Sequence, residues 1–253
     1  MADMFGKLYV RSIRLAEMPP ARNYISALPV VRHLAQMGEL RFDKPVTIFV
    51  GENGVGKSTL IEALAVAMGF NAEGGTRNFR FSTENTHSEL YQYLTVVKGM
   101  KYPKDGFFLR AESFYNVATN IDQMDSAPSF GPPIIDSYGG ISLHEQSHGE
   151  SFMALVENRF GGNGVYILDE PEAALSPMRV MTLMARINEL VKKNSQFIIS
   201  THSPMLMTLP GAEIYEISGS GINSVSYEET EHFQVMRNFL NAPERSLKYL
   251  LEE

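Results

Sequence analysis

Residues 51–58, GENGVGKS, constrain the fold more than any other segment of this chain. They match the pattern G-x-x-x-x-G-K-[ST] at every fixed position. A β-branched run, VTIFV at 46–50, precedes them, and a segment rich in Ala and Leu without glycine or proline, Ser58 to Met68, follows. A buried strand, a glycine-rich turn and a helix N-terminus in this order direct backbone N–H groups at phosphate oxygens. The segment therefore predicts a nucleoside triphosphate site.

Two side chains of this phosphate loop (residues 51–58) have specific chemical roles in such a site. Lys57 can reach the β- and γ-phosphates of a bound nucleotide, and the Ser58 hydroxyl can ligate Mg²⁺. The alternative is a glycine-rich turn that binds nothing. The flanking strand and helix favour the phosphate site, but they do not separate ATP from GTP, or hydrolysis from phosphoryl transfer.

Two further polar sites follow buried strands. Asp169 and Glu170 end the apolar run GVYILD at 164–169, and His202 follows QFIIS at 196–200. An aspartate there can hold Mg²⁺, and the neighbouring glutamate can polarise an attacking water. His202 can reach a γ-phosphate or that water. The alternatives are a helix cap with a solvated acid, and a polar residue in a strand-to-helix turn.

The remaining pattern predicts an α/β fold. Apolar strands alternate with segments of helical composition, which favours a mostly parallel central sheet flanked by helices. We also expect a long loop at 120–149 and a helical tail from Glu229 whose leucines (Leu247, Leu250, Leu251) pack on the chain's own core. The other expected elements are an edge strand and a short helix within 1–45, strands at 91–97 and 106–114, helices at 151–159 and 177–193, and a hairpin at 213–217 and 222–227.

Composition excludes several classes of protein. The 253 residues contain no cysteine, which rules out disulfides, thiolate zinc sites and cysteine nucleophiles. The formal charge of −7 does not favour uniform coating of nucleic acid. We find neither an apolar run of about 20 residues nor a secretory signal pattern. These observations lead us to expect a cytoplasmic protein without membrane insertion.

The order of four motifs resembles the ATP-binding-cassette (ABC) ATPase superfamily. These are the phosphate loop, SHGES at 147–151 before a helix, ILDEPEAALSP, and FIISTHSPML. Within this superfamily the chain resembles the soluble branch of RecF-like, SMC-like and overcoming-lysogenization-defect ATPases. It resembles small standalone ATPases most of all. Further segments that look like this last group are NAEGGTRNF, FFLRAESFYNVAT and YEETEHF. The resemblance implies one P-loop ATPase domain over 1–253, with an antiparallel β subdomain and a small helical lobe at about 114–160.

The resemblance also implies roles for individual residues. Glu170 would activate water, with Lys57 and His202 completing the catalytic set. Mg²⁺ would be served by Ser58 and Asp169, and by Glu112 where relatives usually have a glutamine. Ser147, Gly149 and Glu150 would act on ATP bound to a second subunit. ATP would be bound by Gly51, Glu52, Asn53, Gly54, Val55, Gly56, Lys57, Ser58 and Thr59.

The resemblance further implies ATP held between two copies of the chain in a head-to-tail homodimer. Relatives suggest a conformational switch in DNA repair or phage defence, with nucleic acid or a protein as effector. The alternatives are the energising subunit of a membrane transporter and a nucleotide-gated interaction module with slow hydrolysis. A nucleotide kinase is disfavoured, because residues 120–149 contain no Arg or Lys for a phosphoryl-transfer lid.

Overall fold

The computed structural model describes residues 8–77, 88–126 and 131–251. Strands in these ranges form two sheets. The central sheet has the order β5-β6-β7-β3-β8-β9, and a smaller sheet has the order β2-β1-β4. The strands are β1 (Val10–Leu15), β2 (Leu40–Arg41), β3 (Val46–Val50), β4 (Leu94–Lys98), β5 (Asp105–Arg110), β6 (Gly164–Asp169), β7 (Gln196–Ser200), β8 (Glu213–Ile217) and β9 (Ile222–Val225).

Strand directions confirm the predicted α/β architecture. All neighbouring pairs from β5 to β8 in the central sheet are parallel, and β9 joins its edge antiparallel through the expected hairpin. The smaller sheet is antiparallel throughout. The helices in the described ranges are α1 (Pro29–Met37), α2 (Lys57–Ala67), α3 (Leu90–Tyr93), α4 (Phe114–Ser126), α5 (His148–Arg159), α6 (Pro177–Lys192), α7 (Pro204–Met207), α8 (Glu231–Asn241) and α9 (Pro243–Leu251).

Apolar side chains cover both faces of the central sheet and form two separate cores. Every residue of β3, β6 and β7 is buried, as parallel strands with helices on both sides require. Successive side chains of a strand point to opposite faces. In β3, for example, Ile48 and Val50 belong to one core and Phe49 to the other.

Strand register brings the predicted polar residues to one edge of the sheet. Asp169 at the end of β6 pairs with Ser200 at the end of β7, and Arg110 at the end of β5 pairs with Asp169. The phosphate loop leaves β3, which lies on the other side of β7. The carboxyl ends of four neighbouring strands therefore surround one site, the usual position for ligands in open α/β sheets.

Four local expectations were wrong. Helix α4 extends into the predicted loop at 120–149, because Phe114, Val117, Ala118 and Ile121 form a buried helical stripe; residues 127–130 of that loop lie outside the described ranges. The predicted strand at 91–97 begins as the helical turn α3. The first strand, β1, is central in its sheet rather than at an edge.

The fourth expectation concerned the C-terminal tail. It is helical, as predicted, but neither α8 nor α9 has a buried residue. The exposed fractions of Leu247, Leu250 and Leu251 are 43%, 72% and 75%. These leucines do not pack into the core. Separately, no helix in the described ranges is long and apolar enough to cross a bilayer.

Candidate functional site

The phosphate loop has a backbone that only glycine accommodates well. Gly51, Gly54 and Gly56 all have positive φ angles, of 142°, 84° and 98°. A Cβ on Gly51 would lie 2.1 Å from the carbonyl oxygen of Ile217, and one on Gly56 would lie 2.6 Å from Val30 Cγ1. The motif glycines are therefore required both by the turn itself and by the close packing of β8 and α1 around it.

The Lys57 side chain lies inside the loop. Its Nζ donates hydrogen bonds to the carbonyl oxygens of Gly51 (2.7 Å) and Glu52 (2.9 Å), and the residue is buried. Burial lowers the Lys57 pKa, while the carboxylates of Glu170 and Asp169 oppose this shift. The N-cap residue of α2 is Gly56, which has no side chain to cap the helix. The loop therefore combines a buried ammonium with the N-terminus of a helix that its own N-cap residue leaves open, and this combination suits an anion.

Asp169 is the buried carboxylate of the site. Ser200 Oγ donates a hydrogen bond to it, and Arg110 Nε lies 3.4 Å from its Oδ2. Burial raises the pKa of Asp169, whereas hydrogen bonds from Ser200 and Ser58 and the positive charge of Arg110 lower it. The Ser58 hydroxyl thus faces this carboxylate across the gap between phosphate loop and β6. A hydroxyl and a carboxylate beside a phosphate cradle are oxygen donors that suit Mg²⁺.

Glu170 leaves the sheet in a left-handed conformation, with φ 49° and ψ 52°. Its backbone N–H donates to the Ser200 carbonyl at 3.1 Å, and its Oε1 lies 3.5 Å from His202 Nε2. Burial raises the pKa of Glu170, and the nearby Glu172 carboxylate raises it further. A carboxylate with a raised pKa, next to a phosphate cradle, has the properties of a general base.

His202 is held from two sides. Its backbone N–H donates to Glu172 Oε1 at 2.6 Å, and its Nδ1 lies 2.7 Å from Nε2 of His232 on α8. Burial lowers the His202 pKa, and the nearby Lys57 ammonium lowers it further. The ring is therefore neutral near pH 7, and it carries one N–H with which to donate.

A cavity of about 420 Å³ opens in front of Asp169 and Glu170. Glu112 lines it, with its side chain 81% exposed and 3.4 Å from Arg110 Nη2. The cavity thus has room beside the predicted magnesium residues. Its lining residues are Ser58, Arg110, Ala111, Glu112, His148, Asp169, Glu170, Ala173 and Ala174.

The SHGES segment begins α5. Ser147 caps this helix, and its backbone N–H and hydroxyl both donate to Glu150 Oε2. Arg179 of α6 approaches both residues, at 3.5 Å from Ser147 Oγ and 3.2 Å from Glu150 Oε1. Gly149 packs against α6, where an added Cβ would lie 2.3 Å from Arg179. The described contacts of this segment are with α6, with the turn before it and, through His148, with Tyr115 of α4, whose hydroxyl lies 3.2 Å from His148 Nδ1.

Sequence reasoning missed three residues of the site: Arg110, Arg179 and His232. Each contacts a residue at least 29 positions away in the sequence; the contacted residues are Asp169, Glu150 and His202, respectively. Arg110 could have been found from its position at the end of β5, since parallel neighbouring strands end together. The other two carry no local signal, because they lie within ordinary amphipathic helices.

We expect Arg110→Met to destabilise the fold by about 3 kcal/mol, because it leaves two buried carboxylates without their cation. Arg110 Nη1 lies 2.7 Å from Glu62, whose side chain is 7% exposed, and Nε contacts Asp169. The matched control is Arg41→Met, which removes an exposed pair with Glu39 and should leave the stability nearly unchanged. Urea unfolding of both variants measures the difference. Equal stabilities would contradict a structural role for Arg110.

Comparison with known proteins gives two family-model matches. Residues 32–108 match the model described as "AAA domain", and residues 142–208 match "AAA domain, putative AbiEii toxin, Type IV TA system". The two segments contain the phosphate loop and the Asp169 and His202 motifs, respectively. Both descriptions are of P-loop ATPase domains.

Two curated relatives are named as an ATPase and as an ATP-binding protein. The chain is 30% identical over 133 residues to the "Retron Vc95 probable ATPase" of Vibrio cholerae, covering 46% of this chain and 25% of the relative. It is 29% identical over 175 residues to the ribose import ATP-binding protein RbsA of Bacillus cereus, and this match covers 62% of this chain and 34% of that relative. The matches thus span a quarter to a third of these longer relatives.

Among solved structures, cbiO1 from Clostridium perfringens, part of the ABC transporter complex cbiONQ, matches with a TM-score of 0.52 and 16% identity. The match covers 97% of this chain and 100% of the other. This likeness concerns the fold alone. It agrees with the α/β architecture described above.

Proposed function

Because the chain has the P-loop fold of ABC/AAA-type ATPases, we propose that it binds ATP with Mg²⁺ and hydrolyses it between two copies of the chain. The observation that carries this proposal is the convergence of Lys57, Asp169, Glu170 and His202 at one sheet edge. The proposal covers the whole chain, 1–253, as one ATPase domain.

The phosphate loop binds the triphosphate. Its backbone N–H groups and the first turn of α2 donate to phosphate oxygens, and Lys57 exchanges carbonyl partners for the β- and γ-phosphates. Ser58 and Asp169 hold the magnesium ion, with Glu112 at the open side of the cavity. Bound magnesium supplies positive charge that neutralises the phosphate oxygens.

Glu170 acts as the general base. It accepts a proton from a water whose oxygen forms a bond to the γ-phosphorus, while the bond from that phosphorus to the β–γ bridging oxygen breaks. The products are ADP and inorganic phosphate. His202 donates its one N–H towards the γ-phosphate, from a ring that lies beside Glu170.

A second subunit completes the site. Charge that develops on the phosphoryl oxygens needs donors on every side. Ser147 and Glu150 are exposed, so a partner's nucleotide can reach them, whereas Gly149 is buried against Arg179 of α6. We place Ser147, Gly149 and Glu150 of one subunit against ATP bound to the other, in a two-fold arrangement.

We expect the ATPase rate per wild-type subunit to rise with protein concentration, because only the dimer has complete sites. Steady-state rates over a 100-fold concentration range, with parallel light scattering, test this. Chelation of Mg²⁺ by EDTA is the control and should abolish turnover. A rate per subunit that stays constant while the protein remains monomeric would refute the shared site.

The cycle drives a conformational switch in DNA repair or phage defence. This part of the proposal is supported by the names of two matches, the "Retron Vc95 probable ATPase" and the family described as "putative AbiEii toxin, Type IV TA system". The ribose import matches favour the alternative of a transporter's energising subunit. Nucleic-acid binding at several salt concentrations, with and without ATP, separates a nucleic-acid effector from a protein one.

A further inference from the structure

Helix α8 brings a second histidine onto the ring of His202. The Nε2 atom of His232 lies 2.7 Å from His202 Nδ1, and the ring centroids are 4.9 Å apart. On its other side His202 Nε2 lies 3.5 Å from Glu170 Oε1. The short contact between the rings thus links His202 to α8, whereas His202 Nε2 is buried without a hydrogen-bond partner in the structure and faces Glu170 at this longer distance.

Hydrogen counting decides which nitrogen of His202 carries the proton. A neutral imidazole has one N–H and one acceptor nitrogen, so the short contact between the rings holds a single proton. If His202 Nδ1 donated it, His202 Nε2 would be an acceptor facing the Glu170 carboxylate, and two acceptors repel. If His232 Nε2 donates it, His202 is protonated on Nε2 and directs this N–H at Glu170.

The start of α8 holds His232 firmly. Thr230, which is fully buried, caps the helix: its hydroxyl donates to the Tyr227 carbonyl at 2.7 Å and accepts from the Phe233 N–H at 3.3 Å. The backbone N–H of Glu231 donates to Glu216 Oε1 at 3.0 Å. His232 lies in the first turn, directly after these anchors, so its ring has a defined place against His202.

We propose that His232 is a positioning residue that keeps His202 in the form protonated on Nε2, the form that can donate towards Glu170 and the γ-phosphate. The role for the γ-phosphate rests on the proposed function. The tautomer itself does not, since it is a property of the protein without nucleotide. A catalytic donor whose proton is fixed in advance needs no rearrangement before the reaction.

The first experiment is nitrogen-15 NMR of the histidine rings without nucleotide. The six histidines include His202, whose signals are assigned by comparison with His202→Gln. We expect His202 to be protonated on Nε2 in the wild type and to become a mixture of both forms in His232→Ala. A wild-type His202 protonated on Nδ1, or an unchanged tautomer in His232→Ala, would overturn the proposal.

The second experiment separates positioning from folding. We expect His232→Ala to lower kcat for ATP about 10-fold with KM changed less than about 2-fold. His232→Gln, whose amide N–H₂ can still donate to Nδ1, should recover most of kcat. Asn238→Ala, an exposed position on the same helix, is the matched control and should leave kcat unchanged.

The outcomes distinguish this proposal from the proposed function. A wild-type protein without ATPase activity would refute the proposed function, while the NMR experiment would still decide the tautomer. Equal loss of kcat in His232→Gln and His232→Ala, with an unchanged melting temperature, would refute the donor role of His232 even in an active ATPase.

Discussion

Replacing Glu170 with glutamine should reduce ATP hydrolysis by at least about 100-fold while leaving ATP binding intact and trapping an ATP-bound dimer. Loss of a general base typically costs two to four orders of magnitude. Glutamine preserves the size and shape of the side chain, which extends from a left-handed backbone beside His202, but it cannot accept the proton of water. With bond cleavage blocked, ATP stays between the subunits.

Light scattering of Glu170→Gln, with and without ATP and Mg²⁺, measures this trapping beside hydrolysis and nucleotide-binding assays. The matched control is Glu189→Gln, an exposed carboxylate on α6 that pairs with Lys193 and Arg186. Its rate and oligomeric state should equal those of the wild type. A Glu170→Gln protein that remains monomeric with saturating ATP and Mg²⁺ would exclude the sandwich dimer.

Two inactive variants should restore hydrolysis when they are mixed. Lys57→Ala removes the buried ammonium of the phosphate loop but keeps Ser147 intact. Ser147→Asp keeps the phosphate loop and the helix cap, since aspartate caps helices well, but it points a negative charge at the partner's γ-phosphate. Half of randomly formed dimers contain one complete site, so an equal mixture should reach up to about a quarter of the wild-type rate.

The control for this experiment is Ser147→Asn, which also caps the helix but carries no charge, and which should retain far more activity than Ser147→Asp. Melting curves verify that all variants are folded. Hydrolysis in the mixture that stays as low as in either variant alone would argue against a site shared between subunits. Wild-type activity in Ser147→Asp alone would remove Ser147 from the site.

The sequence predicted the parts of the site that are encoded locally. The phosphate loop needs three glycines, a lysine and a serine at fixed spacing, because the groups that would face a phosphate belong to one continuous turn and the helix start that follows it. Asp169 and His202 were predicted to lie together since each directly follows a buried strand, and those strands are indeed neighbours. Their roles in catalysis remain predictions.

What the sequence did not reveal depends on contacts distant along the chain. His232 meets His202 from a helix that the sequence placed only as a helical tail. Arg110 belongs to no motif, and its contacts with Glu62 and Asp169 join residues 48 and 59 positions away. Helix α4 was missed in part because the prolines and glycines from Pro128 onwards obscured the apolar spacing that ends at Ile121.

The two cores on opposite faces of the central sheet have a consequence for how the protein unfolds. Ile198 of β7 belongs to one core, and its neighbours Phe197 and Ile199 belong to the other. A strand that leaves the sheet therefore removes side chains from both cores at once. Neither core can unfold alone at low cost in free energy. The end of the sheet that carries the phosphate loop should therefore unfold together with the rest of the interior.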